Sequence, residues 1–185
     1  AVTGGGNIDI TGTSAAFTTT NDNVTFATSG VDLSNEGTTT INTGTGAGAV
    51  TFGAAIETDD ATHDDVLTIT SGTGTVTFTG AIGATNELGG LNVNASAGTG
   101  EIVFSSTIGD TNGTQAGVIG TTNIGNTTTA KVNFDAALYS FDGATTFEAS
   151  DTTNSGETFD ISTATTIETA GDTLSFTGGT IDLDN

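Results

Sequence analysis

The chain has 185 residues, enough for one sizeable buried core, and a formal net charge of −21 from 22 acidic side chains against one lysine. Nucleic acids and anionic membrane surfaces are bound through several cations, so neither is an expected partner. No stretch approaches the roughly 18 apolar residues of a transmembrane span, so membrane insertion is not expected. The lack of cysteine excludes disulfides and thiolate metal sites.

The composition favours strands over helices. Valine and threonine alternate through much of the chain, and β-branched side chains fit a pleated sheet. The 28 glycines, together with many asparagines, supply turns between strands. Runs rich in alanine, leucine, glutamate and lysine, which favour helices, are missing. The sequence therefore predicts an all-β protein.

A strand-like triplet recurs at intervals of 26 residues, at 24–26, 50–52, 76–78 and 102–104. Residues two apart in a strand share a face, so the first and third residues of each triplet are predicted to point into the core. A fixed interval of this length is typical of repeat architectures, in which each unit buries its apolar face by stacking on the next. The expected ladder consists of Val24, Phe26, Val50, Phe52, Val76, Phe78, Ile102, Phe104 and, in a later repeat, Phe134.

A second, weaker strand is predicted in each unit, at 39–41, 67–69 and 91–93. The gap between the two strands varies, yet the interval of 26 residues is kept, so one unit is predicted to be one closed circuit of a solenoid. The residues two positions after each phenylalanine are small, and we expect them to lie inward beside the ring. They are Thr28, Ala54, Gly80 and Ser106.

After Phe104 the interval changes. The next match is Phe134, which comes 30 residues later, and the extra residues fall at 110–117, a predicted surface loop. Since no linker composition separates the two halves, we expect one continuous domain over residues 1–185. Regular repeats of the 26-residue type are expected over 24–134.

Shorter repeats are expected over 135–185. Residues 144–148 resemble residues 164–168 at an interval of 20, and 174–176 with 181–183 begin another unit. Together with the first half, this predicts a β-solenoid with rungs of about 20–26 residues whose equivalent strands pair at roughly 4.8 Å. The alternative is a β-sandwich, because alternating strands with glycine-rich turns also build sandwiches.

Three stretches carry a resemblance to a known class of proteins. Residues 74–83, 88–93 and 144–147 are similar to the repeats of large bacterial surface proteins of the haemagglutinin-like, adhesin type. The resemblance covers about residues 24–176. It implies a β-solenoid, usually a right-handed parallel β-helix, that is exported to the cell surface as a stalk, fibre or adhesin, and it implies no catalytic residues.

The densest polar cluster lies at 57–65, where the gap between strands is longest. Closely spaced carboxylates on a loop can supply the oxygen ligands that calcium requires. The spacing matches neither an EF-hand nor the nonapeptide of calcium-binding β-rolls, so a solvated acidic loop is the alternative. His63, the only histidine, is interpreted as exposed. The candidate calcium ligands are Asp59, Asp60, Asp64 and Asp65.

No enzyme is indicated. A lyase of the β-helix fold would need basic residues, and Lys131 stands alone. Glycoside hydrolysis needs two carboxylates in a cleft, usually with aromatic platforms, yet tryptophan is missing and Tyr139 is the only tyrosine. Outward threonines are interpreted as ordinary strand chemistry rather than an ice-binding array, because the row ends at Val103. Calcium is the only expected cofactor.

These inferences converge on a non-enzymatic, extracellular repeat protein that forms a surface fibre, a filament or an adhesin stalk by rung-on-rung stacking. Its expected partners are copies of itself or adjoining repeats, end to end, since strand edges recruit further strands unless they are capped. The alternative is a calcium- or glycan-binding module on a surface adhesin. Among several glycosylation sequons, Asn112 in the predicted loop is the preferred acceptor.

Overall fold

A computed structural model describes residues 6–34, 36–59, 65–150, 158–161 and 164–183. These residues form nineteen β-strands and no helix. Within them, therefore, no helix is long and apolar enough to cross a membrane. The strands assemble into three faces, which the chain visits in turn, and every pairing between neighbouring strands is parallel.

Sheet 1 has seven strands and carries the triplets that recur in the sequence. Val24 pairs with Val50, Val50 with Val76, and Val76 with Ile102, so the 26-residue interval is the register of this sheet. In order, its strands are β3 (Val24–Phe26), β6 (Val50–Phe52), β9 (Val76–Phe78), β11 (Ile102–Phe104), β13 (Val132–Phe134), β16 (Phe159–Ile161) and β19 (Ile181–Leu183).

Sheet 2 also has seven strands and contains the weaker strands of the repeat. Ile41 pairs with Ile69, and Ile69 with Val93, and all three side chains are buried. In order, its strands are β2 (Ser14–Thr18), β5 (Thr38–Asn42), β8 (Val66–Thr70), β10 (Gly90–Val93), β12 (Thr122–Gly125), β15 (Thr145–Glu148) and β18 (Leu174–Thr177).

The third face is less regular. Single parallel bridges connect Ile56 to Ile82, Ile82 to Ile108, and Ile108 to Tyr139. They join two short groups of strands into one row. The first group is β1 (Ile8–Thr11), β4 (Val31–Ser34) and β7 (Ile56–Thr58), and the second is β14 (Leu138–Phe141) and β17 (Thr166–Thr169).

One turn of the chain thus supplies one strand or bridge to each face, and the next turn stacks on it. This arrangement confirms the predicted all-β solenoid and not the alternative sandwich. The core lies between the faces and consists of the inward side chains of successive turns, nearly all of them valine, isoleucine, leucine and phenylalanine.

The chain turns a corner directly after each phenylalanine of sheet 1. At the first corner, the N–H of Gly53 donates a 2.7 Å hydrogen bond to the carbonyl of Phe26, one turn below. The prediction that small residues continue inward from this strand is wrong, because the strand has already ended. Thr28 is exposed, and Ala54, Gly80 and Ser106 are half-buried.

A second corner follows sheet 2, and glycine is required there by close approach of the backbone. A Cβ at Gly74 would collide with the carbonyl of Gly48, and one at Gly100 with the carbonyl of Gly74. These glycines stack one above another, so successive turns meet through bare backbone at this corner. The repeat therefore depends on glycine as much as on its apolar ladder.

The longer turn in the middle of the chain agrees with the sequence prediction. Phe104 pairs with Phe134, and residues 111–114 of the intervening segment are exposed. The match between residues 144–148 and 164–168 is wrong, however. Strand β15 pairs with β12 and β18 in sheet 2, whereas β17 pairs with β14 on the third face. Similar sequences thus occupy different faces.

Candidate functional site

A stack of phenylalanine rings runs through the core behind sheet 1. Each ring is at most 1% exposed. The centroid distances between successive rings are 4.9, 5.5, 5.0 and 6.0 Å, and the interplanar angles are 9°, 6°, 5° and 18°. Such parallel stacking ties each turn to the one below it, beyond the area that each ring buries. The rings are those of Phe26, Phe52, Phe78, Phe104 and Phe134.

The aromatic row changes sheet at its upper end. The ring of Phe134 packs edge-to-face against Phe147 of sheet 2, with centroids 5.0 Å apart, and Phe147 stacks on Phe176 at 5.0 Å. The same change occurs at the lower end, where Phe17 of sheet 2 packs edge-to-face on Phe26. The sequence analysis missed this change because it followed one strand of the repeat only.

Tyr139 takes the place of isoleucine in the row of the third face. Its buried hydroxyl donates a 2.8 Å hydrogen bond to the carbonyl of Phe104 and accepts one of 2.8 Å from the N–H of Ala136. Burial raises the pKa of the phenol well above its usual value, since the ionised form would lose its hydration. The hydroxyl therefore has a structural role and is not poised for proton transfer.

Buried asparagine and serine satisfy the backbone at the corner after sheet 2. The Asn94 side-chain oxygen accepts a 2.9 Å hydrogen bond from the N–H of Ser71, and the Ser71 hydroxyl donates one of 2.7 Å to the carbonyl of Gly74. Asn94 adopts a φ of 52°, in the left-handed region that asparagine tolerates better than most residues. These contacts again join one turn to the next.

On the outer surface of sheet 1, polar side chains replace the threonine row in the later turns. Nζ of Lys131 lies 2.7 Å from a carboxylate oxygen of Asp160. The amide of Asn133 donates a 2.6 Å hydrogen bond to Glu101. Both contacts connect successive turns at a partly exposed position, where an ion pair contributes at most about 1 kcal/mol.

The predicted calcium ligands do not form one cluster in the part of the chain that the structure describes. Asp59 is exposed, whereas Asp65 is 1% exposed and its backbone carbonyl accepts a hydrogen bond from Gly89. Asp60, Asp64 and His63 lie outside the described residues. Among the residues described, no group of three or more His, Cys, Asp or Glu side chains could hold a metal ion. A calcium site at 57–65 stays a prediction.

The inserted loop after Ile108 is organised by Asp110. Its carboxylate accepts hydrogen bonds from the N–H groups of Asn112 and Thr114, at 3.1 and 3.0 Å, and from the Thr114 hydroxyl. The hydroxyl contact, followed by the backbone contacts, lowers the pKa of Asp110. Asn112, the preferred glycan acceptor, is exposed at the tip of this loop.

A cleft of about 430 Å³ lies beside the loop. Its wall includes three carboxylates, those of Glu87, Asp142 and Glu168, and it contains one aromatic side chain, Phe141. Since these carboxylates do not form a metal-binding group, the cleft offers a polar surface rather than an arranged set of ligands.

The apolar rows of sheets 1 and 2 end on an exposed strand edge. Strands β18 and β19 are the last members of their sheets among the described residues. Their inward positions continue the core rows, yet Leu174, Ile181 and Leu183 are 36%, 49% and 64% exposed. Phe176 is half-buried. We call β17, β18 and β19 together the trailing edge, and β1, β2 and β3 the leading edge.

Comparison with known proteins adds no further constraint. No protein family, no curated protein and no solved structure matches this chain.

Proposed function

We propose that the chain is a passive structural element of an extracellular surface fibre or stalk, lengthened by stacking of one solenoid turn on the next. The observation that carries this proposal is the trailing edge, where inward apolar side chains are exposed in the same rows that are buried everywhere below. A further turn placed on this edge would bury them as the preceding turns are buried.

The distribution of contacts supports a role in length rather than in catalysis. Stability in such a stack comes from contacts between neighbouring turns, so the structure can be extended without changing its interior. The phenylalanine stack, the glycine corner and the Asn94–Ser71 contact all lie between successive turns. None of them faces a cleft.

The charge supports a surface that resists lateral aggregation. With a net charge of −21, side-by-side contact between copies brings like charges together, whereas stacking at the edges buries apolar side chains. Axial growth is thereby favoured over bundling. This charge distribution suits a fibre that projects into a salty medium.

Immunogold electron microscopy on source cells tests the proposal, with an antibody raised against the exposed loop 110–117. We expect label along extended structures outside the cell. An unrelated antibody of the same class, and cells from which the coding sequence has been deleted, are the controls. Label confined to the cell interior, or to discrete compact particles, would overturn the proposal.

A further inference from the structure

We infer that the partner of the trailing edge is the leading edge of a second copy of this chain, joined head to tail in one register. The inference rests on the proposed function, because it names what extends the stack. It is carried by a match between the two edges, position by position, in the rows of sheets 1 and 2.

The match in sheet 2 joins aromatic to aromatic. Phe176 is in register with Phe147 below it, and Phe17 is in register with Ile41 above it. Continuing the same register places Phe176 opposite Phe17 of the next copy. Leu174 then lies opposite Ala15, so a large side chain meets a small one. The stacked pair of Phe147 and Phe176 would gain a third ring.

The match in sheet 1 joins aliphatic and aromatic residues. Ile181 and Leu183 occupy the inward positions of β19, which pair with Phe159 and Ile161 below. Their counterparts on the leading edge are Val24 and Phe26, the first pair of the ladder. The junction would therefore bury the two most exposed large apolar side chains of the described residues, Ile181 and Leu183.

The change of the aromatic row between sheets makes the two edges equivalent. At the leading edge the aromatic of sheet 2, Phe17, meets Phe26 of sheet 1 edge-to-face. Near the trailing edge Phe147 meets Phe134 in the same way, after which the aromatic row lies in sheet 2. A row that leaves sheet 1 before the trailing edge is thus in the sheet where the next copy begins.

Backbone geometry provides the hydrogen bonds. In an extended strand, the N–H and C=O of alternate residues point to opposite sides. The N–H of Val24 donates to Ala49, and the N–H of Thr19 donates to Asn42, both on the next turn. The groups of Ala16 in β2 therefore point away from β5, toward the free side of the leading edge, where β18 of another copy would pair.

Charge sets the condition for this junction. On the third face the same register places Glu168 opposite Asp9, and each copy is strongly acidic. Like charges at neighbouring strands repel, and salt screens them over a distance of about 8 Å at physiological ionic strength. Association of copies should therefore strengthen as sodium chloride is added, and calcium chloride at equal ionic strength should have no specific effect.

Two edge variants of the full chain test the inference. Leu183→Asp places a charge opposite Phe26 of the next copy and blocks the trailing edge. Ala16→Pro removes the N–H that points to the free side and blocks the leading edge, at an exposed position of an edge strand where proline is tolerated. Ser175→Asp is the matched control, because it adds the same charge on the outer face of β18.

Sedimentation velocity in sodium chloride gives the readout, and circular dichroism verifies that each variant is folded. We expect the unmodified chain and Ser175→Asp to form species whose mass grows with concentration. Each edge variant alone should stay at the mass of one chain. An equimolar mixture of the two should form a dimer that grows no further, because each variant keeps one functional edge.

Two results would overturn the inference. One is an unmodified chain that stays at the mass of a single chain at every concentration and salt level. The other is growth of either edge variant alone. If the source cells nevertheless carry labelled fibres whose intact polypeptide is much heavier than 18.1 kDa, the proposed function stands and adjoining repeats, not a second copy, cover the edge.

Discussion

The hydroxyl of Tyr139 donates a 2.8 Å hydrogen bond to the carbonyl of Phe104, and this bond joins the third face to the phenylalanine stack of sheet 1. The ring of Tyr139 also packs edge-to-face on Phe134, with centroids 5.1 Å apart. One side chain therefore closes the turn in which the chain inserts its longest loop.

Replacing Tyr139 by phenylalanine tests the value of this hydroxyl. The change keeps the ring but leaves the carbonyl of Phe104 and the N–H of Ala136 without their partner. Unsatisfied buried groups cost about 1–3 kcal/mol, so we expect the free energy of unfolding to fall by that amount. Urea denaturation followed by circular dichroism measures it. An unchanged midpoint and slope would show that the hydroxyl does not stabilise the fold.

The pH dependence of stability gives a second test of the same residue. Burial raises the pKa of Tyr139 in the folded chain, so above about pH 10 the unfolded chain loses the phenolic proton while the folded chain keeps it. The stabilisation is complete below the unfolded pKa and is lost as the pH rises toward the folded pKa. The melting temperature should therefore decline above pH 10.

Absorbance at the tyrosinate band reports this directly, because Tyr139 is the only tyrosine and tryptophan is absent. Tyrosinate should appear together with unfolding and not before it. In Tyr139→Phe the decline that this residue causes should vanish. Ionisation of the folded chain near pH 10 would contradict the buried, hydrogen-bonded position of the phenol.

A buried hydroxyl without a partner makes Thr122 a site where stability can be gained. Its Oγ1 is buried and forms no hydrogen bond, whereas the neighbouring Thr145 hydroxyl donates one of 3.0 Å to Gly143. Thr122→Val should raise the free energy of unfolding by about 1 kcal/mol, since it removes an unpaired polar group at nearly equal volume. Thr145→Val, the matched control, should lower it. Equal effects of the two changes would contradict this difference.

The phenylalanine stack should be most sensitive in its middle. Phe78 lies between two parallel rings and is 1% exposed, whereas Phe17 is half-buried at the leading edge. Phe78→Ala should cost about 3–5 kcal/mol, and Phe17→Ala clearly less, when both are measured at low protein concentration. Equal costs would mean that turns in the middle are no better packed than turns at the edge.

Calcium should have little effect on the fold. Asp59 is exposed and Asp65 is buried, so two of the proposed ligands already differ in environment. We expect the melting temperature to be equal with calcium chloride and with a chelator at matched ionic strength, and Asp59→Asn to leave it unchanged. A calcium-specific increase that is lost in Asp59→Asn would instead support the binding module.

The fold could be predicted from the sequence to the extent that the same residue recurs at a fixed interval. The spacing of Phe26, Phe52, Phe78 and Phe104 is the register of sheet 1, because equivalent residues must stack when each turn closes. The loop before Phe134 was predictable for the same reason, since glycine and polar residues replace the strand pattern there.

The later turns could not be predicted in this way. Residues 144–148 and 164–168 have the alternation that any strand of a solenoid needs, and nothing in that alternation states which face a strand belongs to. The position of Tyr139 and the buried state of Asp65 also depend on contacts between turns. These contacts bring together residues far apart in the chain and leave no local pattern.

X-ray diffraction from oriented native surface material tests the proposed fibre most directly. Strands that stack along the fibre would give a strong reflection at roughly 4.8 Å along the fibre axis. We predict this reflection, together with labelling of the same fibres by the antibody against loop 110–117. Labelled fibres with no such axial reflection, or material that yields only discrete particles, would contradict growth by rung-on-rung stacking.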